Sequence, residues 1–211
     1  MRRIAVGGSC ANPPHNGHKQ LLIHVLHMYN LFDKVIWIPT GDRTDKITNN
    51  VHPDHRIAMT ELLIEQNWKI GIDSLPLLIK YDEIYEEAKT TWERLNLLKE
   101  NYPKDEIVWF TGSDSDIFKW YKGEELVKNN KFLVIQRKGY LTNQSKIRVS
   151  VNHINSNDTE LKTGINLELT DKPIDNISST EIKKLISEGK YYGHLVPYSI
   201  YQYIEQNKLY R

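Results

Sequence analysis

The chain has 211 residues with 28 Lys and Arg against 27 Asp and Glu, a formal charge of +1, so binding to nucleic acid or to an anionic membrane through bulk charge is not expected. Hydrophobic residues make up 39% and aromatic residues 10%, enough for an ordered core in one domain of this length. The single cysteine, Cys10, excludes an intrachain disulfide and any zinc site built on several cysteines; without a signal-peptide core or an apolar run of about 18 residues, the expected setting is the cytoplasm.

In chain order, Arg3 to Gly8 reads as a short buried strand ending in glycines, and Lys19 to Tyr29 as a helix carrying Leu21, Leu22, Val25, Leu26 and Met28 at helical spacing. Lys34 to Pro39 is a second apolar strand, and Pro53 to Glu65 a helix opened by Pro53-Asp54. Lys69 to Ile79 holds two short candidate strands broken by Pro76. Thr90 to Asn101 is an amphipathic helix closed by Tyr102-Pro103. The strand Glu106 to Phe110 runs into Thr111-Gly112-Ser113-Asp114, a helical stretch spans Ile117 to Asn129, and Phe132 to Gln136 is another buried strand. Residues 140–173, rich in Asn, Ser, Thr and Lys, read as a long connection with candidate strands at Arg148 to Val151 and Ile165 to Leu169. A helix from Ile177 to Glu188, capped by Thr180 or Ser179 and ended by Gly189, precedes a last helix from Pro197 to Asn207. Alternating strands and helices predict an α/β fold, a doubly wound, mainly parallel sheet with helices on both faces. Residues 1–211 read as one domain, with a C-terminal helical part from about residue 177.

Three stretches carry chemistry. Gly7 to His18, GGSCANPPHNGH, lies between the first strand and the first helix, where an open α/β sheet binds ligands and a helix start offers free N–H groups to anions. Gly7 and Gly8 allow close backbone approach, and His15 and His18 can share one face and hold a polyphosphate through ring N–H donors. Two histidines so placed could also be metal ligands, but no H-E-x-x-H pattern or acidic third ligand accompanies them; solvent-facing loop histidines are the other alternative. Asn176 to Lys184, NISSTEIKK, places hydroxyls and free N–H groups at a helix start with a cation one turn in, an anion cradle or an ordinary capped helix. Gly112-Ser113-Asp114-Ser115 after a strand is a plain turn or a ligand loop.

Gly8 to His18 resembles the first loop, G-G-T-F-D-P-x-H-x-G-H, of the Rossmann-like nucleotidyltransferases with an H-x-G-H signature, in particular the bacterial nicotinate-nucleotide adenylyltransferase family. Aligned backwards from His18, Pro13, His15 and Gly17 match, Asn12 takes the acidic position, and Ser9, Cys10 and Ala11 replace Gly, Thr and Phe. Ile177, Ser178, Ser179, Thr180 and Ile182 match the family's I-S-S-T-x-I-R, with Lys183 in the arginine's place, keeping the charge and losing the bidentate fork; Lys184 is a substitute donor. Gly112 to Ser115 resembles G-A-D-S. Thr91 falls on the first threonine of Y-T-x-D-T-L, with Thr90 and Arg94 replacing the tyrosine and second threonine. Lys46 stands roughly at the lysine of P-P-H-K, Arg56 and Met59 match R-x-x-M, and Arg137 matches R-P-G. Trp120 stands where the family often stacks a tryptophan on the pyridine ring, a contact favourable for an electron-poor ring; the alternative for Trp120 is a core position.

The resemblance implies transfer of AMP from ATP to the 5'-phosphate of nicotinate mononucleotide, giving deamido-NAD and pyrophosphate in NAD biosynthesis. It implies catalytic roles for His15 and His18, ATP binding by Gly8, Ser9, Cys10, Asn12, Gly112, Asp114, Ile177, Ser178, Ser179 and Lys183, and mononucleotide binding by Lys46, Thr91, Trp120 and Arg137. Mg²⁺ is expected to travel with ATP and not to occupy a protein metal site. The competing readings are a relative with another acceptor, such as nicotinamide mononucleotide, phosphopantetheine or a cytidylyl acceptor, and a non-catalytic nucleotide-binding regulator.

Overall fold

The computed structural model describes residues 1–28, 30–39, 51–65, 77–79, 88, 90–139, 151–154, 167–170 and 174–211. Its elements are β1 (Arg3–Ser9), α1 (Asn16–Leu26), β2 (Lys34–Pro39), α2 (Pro53–Glu65), β3 (Leu77–Ile79), α3 (Thr91–Asn101), β4 (Glu106–Gly112), a 3-10 turn (Ile117–Lys119), α4 (Gly123–Asn129), β5 (Lys131–Ile135), β6 (Val151–Ile154), β7 (Leu167–Thr170), α5 (Ser179–Ser187) and α6 (Tyr198–Gln206). The strands form one sheet in the order β3-β2-β1-β4-β5-β7-β6, and every pairing is parallel. From β1 the chain winds outward to β2 and β3, then restarts at β4 on the other side. This is the doubly wound topology, with its switch point between β1 and β4.

Alternation along the central strands feeds two cores, one on each face. Ala5, Val35, Trp37, Val108, Phe110, Leu133 and Ile135 pack with α1, α2, α5 and α6, through residues such as Val25, Met59, Ile182 and Ile200. Ile4, Val6, Ile36, Ile38, Trp109, Phe132 and Val134 pack on the opposite face with Leu95 and Leu98 of α3, Ile117 and Leu126. Both faces are therefore covered, which explains why these strands read as continuous apolar runs.

Several boundaries move for physical reasons. α1 starts at Asn16, not Lys19, because His15 and His18 form a reciprocal cap on its first turn. The helix expected over Ile117 to Asn129 is broken at Trp120–Lys122, where Lys122 adopts φ 53°. Gly123 makes the restart feasible, since a Cβ there would lie 2.4 Å from the Ile117 carbonyl oxygen. The last-but-one helix is capped by Ser178, not by Ser179 or Thr180: the Ser178 hydroxyl accepts the Glu181 N–H at 3.2 Å. Ile177 lies before the helix, half-buried against the core, and its apolar character places the helix start predicted from sequence two residues too early. The candidate strands in 140–173 are described as β6 and β7, shifted by two or three residues. The remainder of that connection, the candidate strand over 69–76 and Tyr29 lie outside the described residues.

Candidate active site

β1 and β4 are paired only from Arg3 to Val6, whereas β1 continues along β2 to Ser9 and β4 along β5 to Gly112. The last three residues of each central strand therefore part, and a cleft opens at the carboxyl end of the switch point. Its walls include Gly8, Ser9, His15, Gly17, His18, Trp37, Phe110, Thr111, Gly112, Asp114, Ser115, Arg137 and Ile174. The two glycines near the end of β1 are demanded by the sheet itself. A Cβ on Gly7 would lie 2.5 Å from the Phe110 ring, and one on Gly8 2.6 Å from the Ile38 carbonyl oxygen.

The two histidines are locked by α1. His15 is the N-cap, and its Nδ1 accepts the Gly17 N–H at 3.1 Å. The backbone N–H of His15 in turn donates to His18 Nδ1 at 3.3 Å. With both Nδ1 lone pairs occupied, each neutral imidazole carries its proton on Nε2. The ring centroids are 3.9 Å apart. Gly17 permits this fold, because a Cβ there would press on the His15 ring at 3.0 Å. Burial, then His18 and the Arg137 charge, hold His15 far below the ordinary histidine pKa, and burial followed by Arg137 pushes His18 down to about 3. The pair therefore offers uncharged N–H donors. Protonated at Nε2 and engaged at Nδ1, these rings have no lone pair ready for a metal, and among the described residues no group of three or more His, Cys, Asp or Glu could hold one.

Beneath the loop, Arg56 of α2 is 1% exposed and its guanidinium donates to the Cys10 carbonyl at 3.0 Å and to the Val51 carbonyl at 3.2 Å. Ala11 follows with φ 46°, a left-handed conformation unusual for alanine, so the turn needs such anchors. The family pattern R-x-x-M includes Arg56 without implying a site role for it. Lying three residues before Met59 and seven before Leu63, both buried, it shares their helix face, and that spacing was the available sign of a buried arginine.

The C-terminal segment is laced to this loop. Ser179 Oγ donates to the Pro13 carbonyl at 2.8 Å, Asn16 N–H to the Leu195 carbonyl at 2.9 Å, and Gln20 exchanges two 2.7 Å bonds with Asp175. Arg137 completes the junction. One arm pairs with the Asp114 carboxylate and the other donates to the Ile177 carbonyl at 2.5 Å, so the turn after β4 and the start of α5 share one guanidinium. Ser178 Oγ satisfies the Glu181 N–H, and the Ser179 and Thr180 N–H groups, which bond no described residue, remain for an anion.

The expected site residues thus fall into groups. Gly8, Ser9, His15, His18, Gly112, Asp114 and Arg137 converge on the cleft, with Ile177 and Ser179 tied to it through Arg137 and Pro13. Cys10 is half-buried and Asn12 is 4% exposed within the same loop. Lys183 is half-buried on α5 and makes no ion pair with a described residue, whereas Lys184 is exposed beside Glu188 at 3.9 Å. Thr91 is the first residue of α3, behind the Thr90–Glu93 cap. Trp120 packs against the opposite-face core, edge-on to Phe132 at 6.4 Å, and neither Thr91 nor Trp120 lines the cleft. Lys46 lies outside the described residues.

Comparison with known proteins agrees with this architecture. A family profile described as "Cytidylyltransferase-like" matches residues 6–185. The "Probable nicotinate-nucleotide adenylyltransferase" of Clostridium acetobutylicum is 32% identical over 100% of both chains, and the nicotinate-nucleotide adenylyltransferase of Bacillus subtilis is 27% identical over 100% of this chain and 99% of its own. A nicotinic acid mononucleotide adenylyltransferase of Plasmodium falciparum, solved in complex with NaAD, superposes with a TM-score of 0.77 over 100% of this chain and 98% of its own, at 20% identity, a likeness of fold. The chain belongs to the cytidylyltransferase-like family, among the nicotinate-nucleotide adenylyltransferases.

Proposed function

We propose that the protein transfers AMP from Mg²⁺-bound ATP to the 5'-phosphate of nicotinate mononucleotide, releasing pyrophosphate and forming deamido-NAD. An oxygen of the acceptor phosphate attacks the α-phosphorus, and the bond from that phosphorus to the oxygen bridging to the β-phosphate breaks. The nucleophile is already an anion, so no general base is required. The observation that carries this reading is the pair of buried imidazoles whose tautomers are set by backbone N–H groups. Such rings are donors, suited to charge that builds on phosphoryl oxygens and unsuited to removing a proton. The free N–H groups of α5 and the Lys183 ammonium would hold the polyphosphate, and Mg²⁺ arrives with ATP, its preferred ligands being phosphate oxygens and water. We read residues 1–211 as a single nucleotidyltransferase domain working in the cytoplasm.

The test is incubation with ATP and Mg²⁺ plus nicotinate mononucleotide, nicotinamide mononucleotide or phosphopantetheine in turn, following pyrophosphate and dinucleotide. Dinucleotide formation with nicotinate mononucleotide preferred is expected. Pyrophosphate release with none of the acceptors would leave a nucleotide-binding regulator. In the active protein, His18→Ala should lower turnover on the order of 10²- to 10³-fold with the fold intact, the range for losing one transition-state donor.

A further inference from the structure

The short segment after α6 carries backbone strain that its surface position does not require. Lys208 and Tyr210 are both left-handed, with φ 52° and 64°, a conformation in which a residue as bulky as tyrosine is a genuine outlier. Between them Leu209 is buried in the core, and the half-buried Tyr210 ring packs against the same core. The Tyr210 hydroxyl oxygen is buried and has no hydrogen-bond partner among the described residues. Burial pushes this phenol above its ordinary pKa, the Arg56 charge pulls it back and Cys10 raises it, which places its hydroxyl end beside both groups. Those two residues anchor the loop between β1 and α1: Arg56 donates to the Cys10 carbonyl at 3.0 Å and reaches Cys10 Sγ at 3.6 Å. The segment is itself pinned from behind. Leu209 N–H donates to the Ile204 carbonyl at 3.1 Å, and Glu205 accepts from Tyr192 Oη at 2.8 Å and from Arg211 at 2.6 Å.

Strained backbone and an unpartnered buried hydroxyl each cost stability, and both persist only where the surroundings over-determine the conformation. We infer that Tyr210 is a positioning residue for the loop between β1 and α1, its ring wedged behind the Arg56–Cys10 contact. The chain of contacts runs from the Tyr210 ring to the Arg56 guanidinium, from there to the Cys10 carbonyl, and on to the left-handed turn at Ala11. That turn leads directly into His15 and His18. Tyr210 meets no reacting atom. It acts by denying the loop other arrangements, so that both imidazole donors stay aimed at the phosphates. The hydroxyl forms no bond in this arrangement, so the ring does the positioning and phenylalanine should serve as well.

The inference rests on the proposed adenylyl transfer for its kinetic consequence, so the experiment has two arms. The first needs no turnover. Cys10 is the single cysteine of the chain and half-buried in the loop, so its reaction with dithiobis(nitrobenzoate) in the folded protein reports on the loop alone. Tyr210→Ala should speed that reaction on the order of tenfold, because the loop then opens locally at lower cost, whereas Tyr210→Phe should react at the wild-type rate. Leu98→Ala, in the core on the opposite face, should destabilise the protein without changing the rate. Where Tyr210→Ala does not fold, Tyr210→Leu, which keeps an apolar contact and loses the ring, should move the rate in the same direction. In the second arm, loss of the wedge should lower kcat on the order of 10- to 10²-fold, as for a small misplacement of catalytic groups, with the ATP KM little changed and Tyr210→Phe at the wild-type kcat. Wild-type Cys10 reactivity or wild-type kcat without the ring, an equal rise in Leu98→Ala, or a Tyr210→Phe protein as impaired as Tyr210→Ala would overturn the wedge. Absence of turnover by the wild type with every acceptor would sink the adenylyl transfer, while Cys10 reactivity still decides the wedge.

Discussion

Replacing Arg137 by methionine keeps most of its volume and removes the guanidinium that joins the β4 turn to α5. Two interactions go: the 2.5 Å bond to the Ile177 carbonyl and the pair with Asp114, whose side chain is 33% exposed. A hydrogen bond from a charged group contributes about 1.5–3 kcal/mol and a solvent-screened ion pair about 0–1 kcal/mol, so the expected loss is about 1.5–4 kcal/mol. For a chain of this length that lowers Tm by on the order of 5–15 °C. The same change removes a positive charge that helps keep His15 and His18 neutral, so both pKa values should rise while burial, the larger cause, still holds them below the usual histidine range. Arg137→Lys separates the effects, since it keeps the charge and loses the fork: it should destabilise while leaving the histidine titrations nearly in place. Thermal melting and histidine NMR titrations measure both quantities. An Arg137→Met protein with wild-type Tm and unmoved histidine shifts would show that the junction is held by something else.

Stability should fall on mild acidification. His15 and His18 are depressed in the folded state, His18 to about 3, so below about pH 6.5 the unfolded chain takes up protons that the folded protein refuses. Their contribution is complete above that pH and is lost towards pH 3, at about 1.4 kcal/mol per pH unit per histidine. Urea unfolding between pH 7.5 and 5 should show a shallower slope for His18→Asn than for the wild type; equal slopes would refute the buried neutral ring. Gly123→Ala should cost about 1–3 kcal/mol or more as an overpacking change, because its Cβ would meet carbonyl oxygens at 2.4 and 2.6 Å, and an unchanged melting curve would contradict that geometry. Lys183→Ala, which breaks no ion pair with a described residue, should raise the ATP KM without lowering Tm; unaltered ATP affinity would remove Lys183 from the site.

The strands were legible because residues buried on both faces leave continuous apolar runs, as in Lys34–Pro39 and Glu106–Gly112. The helix start at Asn16 was less so, because its cap is made by two histidines and not by the Ser, Thr, Asp or Asn that usually signal one. The break before Gly123 was not legible either: it leaves Trp120 partly buried, edge-on to Phe132 on the sheet face opposite α1.

By itself the sequence determined the fold class, the position of the His15–His18 loop between the first strand and helix, and the near-neutral charge that excludes a broadly basic surface. These depend on local period and composition, which survive without knowledge of distant partners. Only the tertiary structure decided how the charges and protons are arranged. Arg137 is drawn to Asp114 and to the Ile177 carbonyl from positions 23 and 40 residues away in the chain, Ser179 reaches Pro13 across 166 residues, and the histidine tautomers follow from which backbone N–H groups face which ring nitrogen. Such contacts are set by packing the ends of the chain around one switch point, and spacing along the sequence carries no record of them.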